Sequence, residues 1–190
     1  MKRSFKALGI LASAGIVAAL FFSPGKTLAG EKGGITIWEV CSVNRMGLSD
    51  GKGRYPDWIE IKNTSDVPVS LAGFTLGDGR KKNKQIHLPD VTLNPDEYIL
   101  LCASGQKGWD GQYYHVPIRL SSEGELLFLG TSDGRIVQLI YLPVMNADES
   151  YGMTMRGTME KSRYPTPGKE NAAGDRVYPA APMGWVENRR

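Results

Sequence analysis

Residues 57–63 read Asp-Trp-Ile-Glu-Ile-Lys-Asn, so that Ile59 and Ile61 alternate with Trp58 and Glu60. Side chains on a β-strand point to opposite faces in turn, which places the two isoleucines on one face and Trp58 with Glu60 on the other. A strand with this pattern buries its apolar face. We therefore predict a β-strand whose isoleucines belong to a hydrophobic core.

Similar short runs, rich in β-branched or aromatic residues, recur along the chain, and from residue 35 onward no segment sustains the periodicity of an amphipathic helix. The predicted strands are residues 35–43, 57–63, 69–76, 85–88, 97–103, 113–120, 125–130 and 135–142. Leu126 to Leu129 are apolar on both faces, which predicts a central strand. Turn-forming residues separate the runs, and the chain contains 23 Gly and 11 Pro. Eight strands at this spacing predict an antiparallel β-sandwich or barrel.

The composition favours one globular domain. The chain has 190 residues, of which 41% are apolar and 23% charged. This fraction of apolar residues excludes a disordered chain, and two cysteines are too few for a disulfide scaffold. The length predicts a single domain that buries about two-thirds of its unfolded surface.

The N-terminus has the pattern of a secretory signal peptide. Lys2, Arg3 and Lys6 precede a run of weakly polar to apolar residues from Ala7 to Phe22, and Thr27-Leu28-Ala29 supplies the small residues of a cleavage site. This run is short for a membrane span, which needs about 20 residues. We expect export with cleavage after Ala29. An uncleaved single anchor with its basic end inside is the alternative.

Cleavage changes the charge of the protein. The full chain has 23 Lys and Arg against 20 Asp and Glu, a net charge of +3. Cleavage removes four bases and no acid, which leaves a net charge of −1. The predicted organisation is a signal peptide (1–29), a short linker (30–34), one β-domain (35–171) and a Pro-rich C-terminal tail (172–190).

The order of several segments resembles that of the lamin-tail domain, which occurs in nuclear lamins and in exported bacterial proteins. The matching segments are residues 35–40, 57–63, 69–76 and 93–101, followed by His115, Leu120, Gly124-Glu125, Asp133-Gly134, Ser150-Tyr151-Gly152 and Thr166-Pro167-Gly168. The resemblance covers about residues 35–171 and is strongest to the bacterial exported branch. It implies an immunoglobulin-like antiparallel β-sandwich with a module-like role. It implies no catalytic residues.

Two groups of residues are candidates for ligand binding. Asp57, Trp58 and Glu60 either form part of a ligand surface or belong to a structural strand in which Glu60 is a partnered or solvated acid. The second candidate is a basic run between two predicted strands, formed by Arg80, Lys81, Lys82 and Lys84. Such a loop either binds anionic polymers or headgroups, or is simply a solvated tip.

The sequence offers no convincing catalytic or metal-binding motif. Gly130-Thr131-Ser132-Asp133-Gly134 fits the nucleophile-elbow pattern, but a second strand follows where that motif needs a helix. His87 and His115 lack the spacing of zinc ligands. We expect His115 to pack or form hydrogen bonds. We expect no catalysis, no metal and no cofactor.

The two cysteines leave two alternatives open. Cys41 and Cys102 both lie at the ends of predicted strands. In an exported chain they either form one disulfide or remain two buried free thiols.

The function expected from these patterns is that of an exported, non-catalytic binding module at the cell envelope or in the medium. Its partner is not specified by the sequence; an envelope polysaccharide, an anionic polymer or a protein would fit. One alternative is binding of nucleic acid, teichoic acid or another anionic polysaccharide through the basic run. Another is a membrane-anchored structural surface protein, which requires the N-terminal segment to be retained.

Overall fold

The computed structural model of the protein describes residues 34–79 and 85–171. Four predicted segments lie wholly or mostly outside the described residues: the signal peptide (1–29), most of the linker (30–34), the basic run from Arg80 to Lys84 and the tail (172–190). Within the described part of the chain, no helix is long and apolar enough to cross a membrane.

The regular structure of the described residues is β-strand, apart from one short 3-10 turn at Leu71–Gly73. Its strands are β1 (Ile35–Cys41), β2 (Trp58–Asn63), β3 (Val69–Ser70), β4 (Phe74–Asp78), β5 (Gln85–His87), β6 (Thr92–Leu93), β7 (Tyr98–Cys102), β8 (Gly108–Trp109), β9 (Tyr114–His115), β10 (Glu125–Thr131), β11 (Ile136–Leu142), β12 (Ser150–Met153) and β13 (Met159–Ser162).

The strands form two main sheets. Seven strands lie in the order β13-β12-β1-β2-β7-β9-β8, and four lie in the order β11-β10-β4-β5, while β3 and β6 pair separately. All neighbours are antiparallel except β7 and β9, which run parallel. The predicted all-β, largely antiparallel architecture is therefore confirmed, and the arrangement is sandwich-like.

One hydrophobic core contains residues from both main sheets. Ile37, Ile59 and Ile61 of the seven-stranded sheet are completely buried, as are Leu76 and Leu127 of the four-stranded sheet. The alternation that predicted a buried face for Ile59 and Ile61 is thus confirmed. Strand β10 is central between β4 and β11, as predicted from its apolar run.

Two predicted strands are interrupted. Residues 69–76 break into β3, the 3-10 turn and β4, because the Ser70 hydroxyl accepts a hydrogen bond from the Ala72 N–H and starts the turn. Residues 113–120 form a strand only at Tyr114–His115. Pro117, which has no N–H, follows shortly after and cannot continue a ladder.

The chain after residue 142 is more regular than the sequence indicates. Strands β12 and β13 form a hairpin that extends the seven-stranded sheet beyond β1. Gly157 adopts a φ of 75° in its turn and donates its N–H to the Thr154 carbonyl oxygen. Tyr151, Met153 and Met159 of this hairpin contribute to the core.

Candidate functional site

Two carboxylates lie directly opposite each other on β1 and β2. Glu39 pairs with Glu60 because a bulge shifts the register between Ile37 and Glu39. Without the extra residue, Trp38 would occupy the place opposite Glu60. Both glutamates are buried, with 1% and 0% of their surfaces exposed. They lie on the sheet face opposite Ile59, away from the core.

Residues 164–171, which we call the strap, bind these carboxylates. Glu39 accepts hydrogen bonds from the N–H of Thr166 (3.0 Å), from its hydroxyl (3.1 Å) and from the Ser150 hydroxyl (2.5 Å). One oxygen of Glu60, Oε1, accepts from the Gly168 N–H (2.5 Å). The other, Oε2, is buried without a hydrogen-bond partner among the described residues.

Asn171 fixes the C-terminal end of the strap. Its side-chain amide donates to the carbonyl oxygens of Trp38 (3.1 Å) and Met153 (2.8 Å). A Cβ at Gly152 would lie 2.7 Å from the Asn171 Nδ2 and 3.1 Å from Glu39. Glycine at position 152 is therefore required for the strap to lie close to the sheet.

Burial sets the protonation of the carboxylate pair. Desolvation raises the pKa of Glu60 to about 8, with a further contribution from the Glu39 charge, whereas the Gly168 N–H and Lys62 act in the opposite direction. Desolvation also raises the pKa of Glu39, against its hydrogen bonds from Ser150 and Thr166. Glu60 therefore keeps its proton at neutral pH.

The predicted ligand residues on β2 face other parts of the chain. Trp58 is 1% exposed and Glu60 has no exposed surface. Asp57 is half-buried and accepts a hydrogen bond from the Asn44 N–H (3.0 Å), and desolvation raises its pKa to about 6. Trp58 and Glu60 lie on β2 and Asp57 lies directly before it, and the hydrogen bonds of Asp57 and Glu60 are intramolecular.

The cysteines are two buried free thiols. Trp58 on β2 lies between the two cysteines in the sheet, because its cross-strand partners are Cys41 on β1 and Cys102 on β7. Two strand spacings, about 10 Å, separate them, which exceeds the roughly 7 Å that a disulfide can bridge. The disulfide alternative is wrong. Desolvation raises the pKa of Cys41 to about 12 and that of Cys102 to about 11, so both thiols stay protonated.

A second polar cluster, which sequence reasoning missed, joins Ser104, Asp110 and His115. The His115 Nδ1 lies 2.8 Å from the Ser104 hydroxyl, and its Nε2 lies 3.0 Å from the Asp110 carboxylate. A carboxylate only accepts, so Nε2 donates to Asp110, and in the neutral ring Nδ1 accepts from Ser104. The sequence contains no signal for this cluster, because the three residues meet only through the pairing of β7, β8 and β9.

This cluster has the composition of a hydrolase triad but lacks other parts of one. The backbone N–H groups around Ser104 all donate within the chain. The Ser104 N–H donates to the Cys102 carbonyl oxygen, and the Gln106 N–H donates to the Ser104 hydroxyl. The Gly105 N–H donates to the carbonyl oxygens of Val116 and Ile118. None is left to stabilise an oxyanion beside Ser104. The cluster connects the β8–β9 hairpin to the end of β7, and His115 forms hydrogen bonds as predicted.

The outer face of the four-stranded sheet is apolar on β10 and β11, whereas on β5 it carries Gln85 and His87. Leu126 pairs with Tyr141 and Phe128 with Leu139 on β10 and β11, and none of these four side chains belongs to the core. We call them the apolar face. Tyr141 is 59% exposed and the other three are half-buried. The Phe128 ring lies against Gly77 of β4, so closely that a Cβ there would overlap it.

The basic run adjoins this sheet in the chain. Arg80, Lys81, Lys82 and Lys84 connect β4 to β5, which confirms that the run lies between two strands, but the residues themselves are outside the described range. Among the described residues, no group of three His, Cys, Asp or Glu side chains could hold a metal ion.

No family model matches the chain, and a search of curated proteins finds no significant match.

Proposed function

We propose that the protein is an exported, non-catalytic binding module with a lamin-tail-like, immunoglobulin-like β-sandwich, acting at the cell envelope or in the medium. The all-β architecture over residues 34–79 and 85–171 supports this fold. So does the contact between two segments of the resemblance, since Gly168 of the Thr-Pro-Gly segment binds Glu60 of the Asp-Trp segment.

The observation that carries the binding role is the apolar face. The solvent side of an antiparallel sheet is normally polar, but Leu126, Phe128, Leu139 and Tyr141 present no charge and one hydroxyl. Exposed apolar patches mark interaction sites, and protein interfaces favour aromatic residues and exclude charges from their centre. A glycan or an anionic polymer would need hydrogen-bonding or cationic groups, and these four side chains supply only the Tyr141 hydroxyl. Gln85 and His87 lie on the same face but on β5, which β4 separates from β10. The ligand that fits this face is therefore another protein with an uncharged, apolar surface.

Site-specific photo-crosslinking tests this function. A photoreactive phenylalanine analogue replaces Tyr141 in one variant and the equally exposed Val67 in a control. Intact producing cells are illuminated, the adduct is identified, and the purified partner is then titrated against the wild-type chain and against Leu139→Asp. We expect an adduct only from position 141 and at least tenfold weaker binding by Leu139→Asp.

Three results would contradict the proposal. The first is that the variants at positions 67 and 141 give the same adducts. The second is that Leu139→Asp binds the purified partner with the affinity of the wild-type chain. The third is an adduct between two copies of this chain, which would identify the apolar face as a homodimer interface.

Binding of an anionic polymer through Arg80, Lys81, Lys82 and Lys84 is the second candidate function. It is favoured by four cations within five residues that connect two paired strands. Affinity for a nucleic acid or teichoic acid should then fall steeply between 50 and 200 mM salt and disappear when all four are replaced by Ser. A third candidate, a structural surface protein anchored by an uncleaved N-terminus, predicts that the chain stays with the membrane fraction when cells are fractionated.

A further inference from the structure

The strap is held on the seven-stranded sheet through side chains of the sheet and not through strand pairing. Residues 164–171 contain no strand, and the backbone N–H groups of Thr166 and Gly168 end on the carboxylates of Glu39 and Glu60. Asn171 adds two hydrogen bonds to backbone carbonyl oxygens. The state of two carboxylates therefore decides how well this segment is attached.

The surroundings of Glu60 favour its neutral form. Its Oε2 has no hydrogen-bond partner among the described residues, so a negative charge there would be buried and unsolvated. Glu39 lies directly opposite on β1, and two neighbouring carboxylates in a buried site do not both ionise easily. On the other side, β7 presents Leu100 as the register partner of Glu60.

Among the described residues, the cation that acts on Glu60 is already engaged. Lys62, on the same strand as Glu60, forms an ion pair with Asp96 at 2.9 Å, and its ammonium lies 4.5 Å from the Trp38 ring centre and 5.1 Å from that of Tyr98. From β12, Ser150 contributes only a hydroxyl, which donates to Glu39. The strap itself offers Glu60 one backbone N–H. Among the described residues, Lys62 is therefore the cation that favours an ionised Glu60, and its ammonium is already paired with Asp96.

We propose that the strap is a pH-sensitive latch, closed over neutral Glu60 and released when Glu60 gives its proton to the solvent. An ionised Glu60 gains hydration only if the strap moves away, because the strap covers it in the closed state. Release breaks the Gly168 hydrogen bond and admits water to the sheet face that carries Glu39 and Glu60. The pKa of about 8 for Glu60 places this transition in the mildly alkaline range.

Amide hydrogen exchange tests the latch. Protection of the Thr166 and Gly168 amides, corrected for the intrinsic pH dependence of exchange, is measured from pH 6 to 9.5 in the wild type, in Glu60→Gln and in the exposed-site control Glu123→Gln. Amides of the central strand β10 serve as the internal reference. We expect strap protection in the wild type and in Glu123→Gln to fall at least tenfold relative to β10 with a midpoint near pH 8. In Glu60→Gln it should stay constant.

A second variant keeps the test decisive if Glu60→Gln does not fold. Glu39→Gln removes the neighbouring charge but keeps an oxygen that accepts from Thr166, so the midpoint of strap release should move to lower pH. The latch is overturned if strap and β10 protection change in parallel in the wild type. It is also overturned if Glu60→Gln loses protection as the wild type does, or if Glu39→Gln leaves the midpoint unchanged.

Discussion

The side chain of Gln138 on β11 completes the edge of β1 at Ile37. Its Oε1 accepts the Ile37 N–H at 2.6 Å, and its Nε2 donates to the Ile37 carbonyl oxygen at 3.3 Å. Strand β12 pairs with β1 only at Glu39 and Val40, so it leaves this part of the edge open. One side-chain amide thus supplies the donor and acceptor of a missing strand and connects the two main sheets.

Replacement of Gln138 by Leu should therefore destabilise the protein by about 2–4 kcal/mol. The leucine fills a similar volume but leaves the buried N–H and C=O of Ile37 unpaired, and each such group costs about 1–3 kcal/mol. Denaturant unfolding measures the change. The matched control is Gln85→Leu at an exposed strand position, which should change stability by less than about 0.5 kcal/mol. Equal effects of the two substitutions would show that the amide bridge contributes nothing.

The sequence predicts the buried face of a strand whose alternation survives in the structure and misses a change of face that a local irregularity causes. Ile59 and Ile61 are in the core because β2 is regular. In β1, strict alternation assigns Glu39 to the same face as Ile35 and Ile37. The bulge instead moves Glu39 to the outer face, where it is the cross-strand partner of Glu60. A bulge depends on how two strands meet, which one strand's sequence does not contain.

The candidate site was less predictable than the fold. The Asp-Trp segment leaves Glu60 either a ligand residue or a partnered or solvated acid, and it does not indicate that residues more than 100 positions later cover it. The hydrogen bonds of His115 to Ser104 and Asp110 likewise depend on the parallel pairing of β9 with β7. Contacts of this kind are set by topology, whereas periodicity reports only on local faces.

The stability of the folded protein should fall between about pH 4.5 and pH 8 because of Glu60. Its pKa is raised from 4.5 to about 8 in the folded state, so over this interval the native chain holds a proton that the unfolded chain has lost. The contribution of Glu60 to stability is then full below pH 4.5 and decreases by about 1.4 kcal/mol per pH unit until the folded pKa is passed. Urea unfolding at several pH values should show this slope in the wild type and in Glu123→Gln. A Glu60→Gln chain with the same slope would exclude Glu60 as its origin.

Acid should loosen the β8–β9 hairpin through Asp110. The N–H groups of Tyr113 and Gln112 and the His115 ring hold the pKa of Asp110 well below its usual range. The stabilisation is present above the ordinary pKa of 3.8 and is lost as the pH falls toward the depressed value. Asp110→Asn should reproduce the loss at neutral pH, seen as faster exchange of the Tyr113 amide and a lower Tm. The exposed-site control Asp66→Asn should change neither quantity.

Ser104 should not behave as an activated nucleophile, although it lies 2.8 Å from a histidine nitrogen. The three N–H groups around it are already used, so an acyl or phosphonyl adduct would find no oxyanion donor. We expect no labelling by a fluorophosphonate probe in the native protein, measured by intact mass. Labelling that disappears in Ser104→Ala but persists in Ser132→Ala would contradict this interpretation and restore a hydrolytic role for the cluster.

The contact between Gly77 and Phe128 should make their substitutions strongly non-additive. The Phe128 ring occupies the space into which a Cβ at position 77 would project, so Gly77→Ala should destabilise the protein by about 1–3 kcal/mol. Phe128→Ala empties that space, and in its presence Gly77→Ala should become nearly neutral. A double-mutant cycle from denaturant unfolding measures the coupling, which should be at least about 1 kcal/mol. The same substitution at Gly73, where a Cβ meets no atom within 4 Å, is the control. An additive cycle would mean that Phe128 does not rest on Gly77 in solution, and the apolar face would lose the support that holds its ring against the sheet.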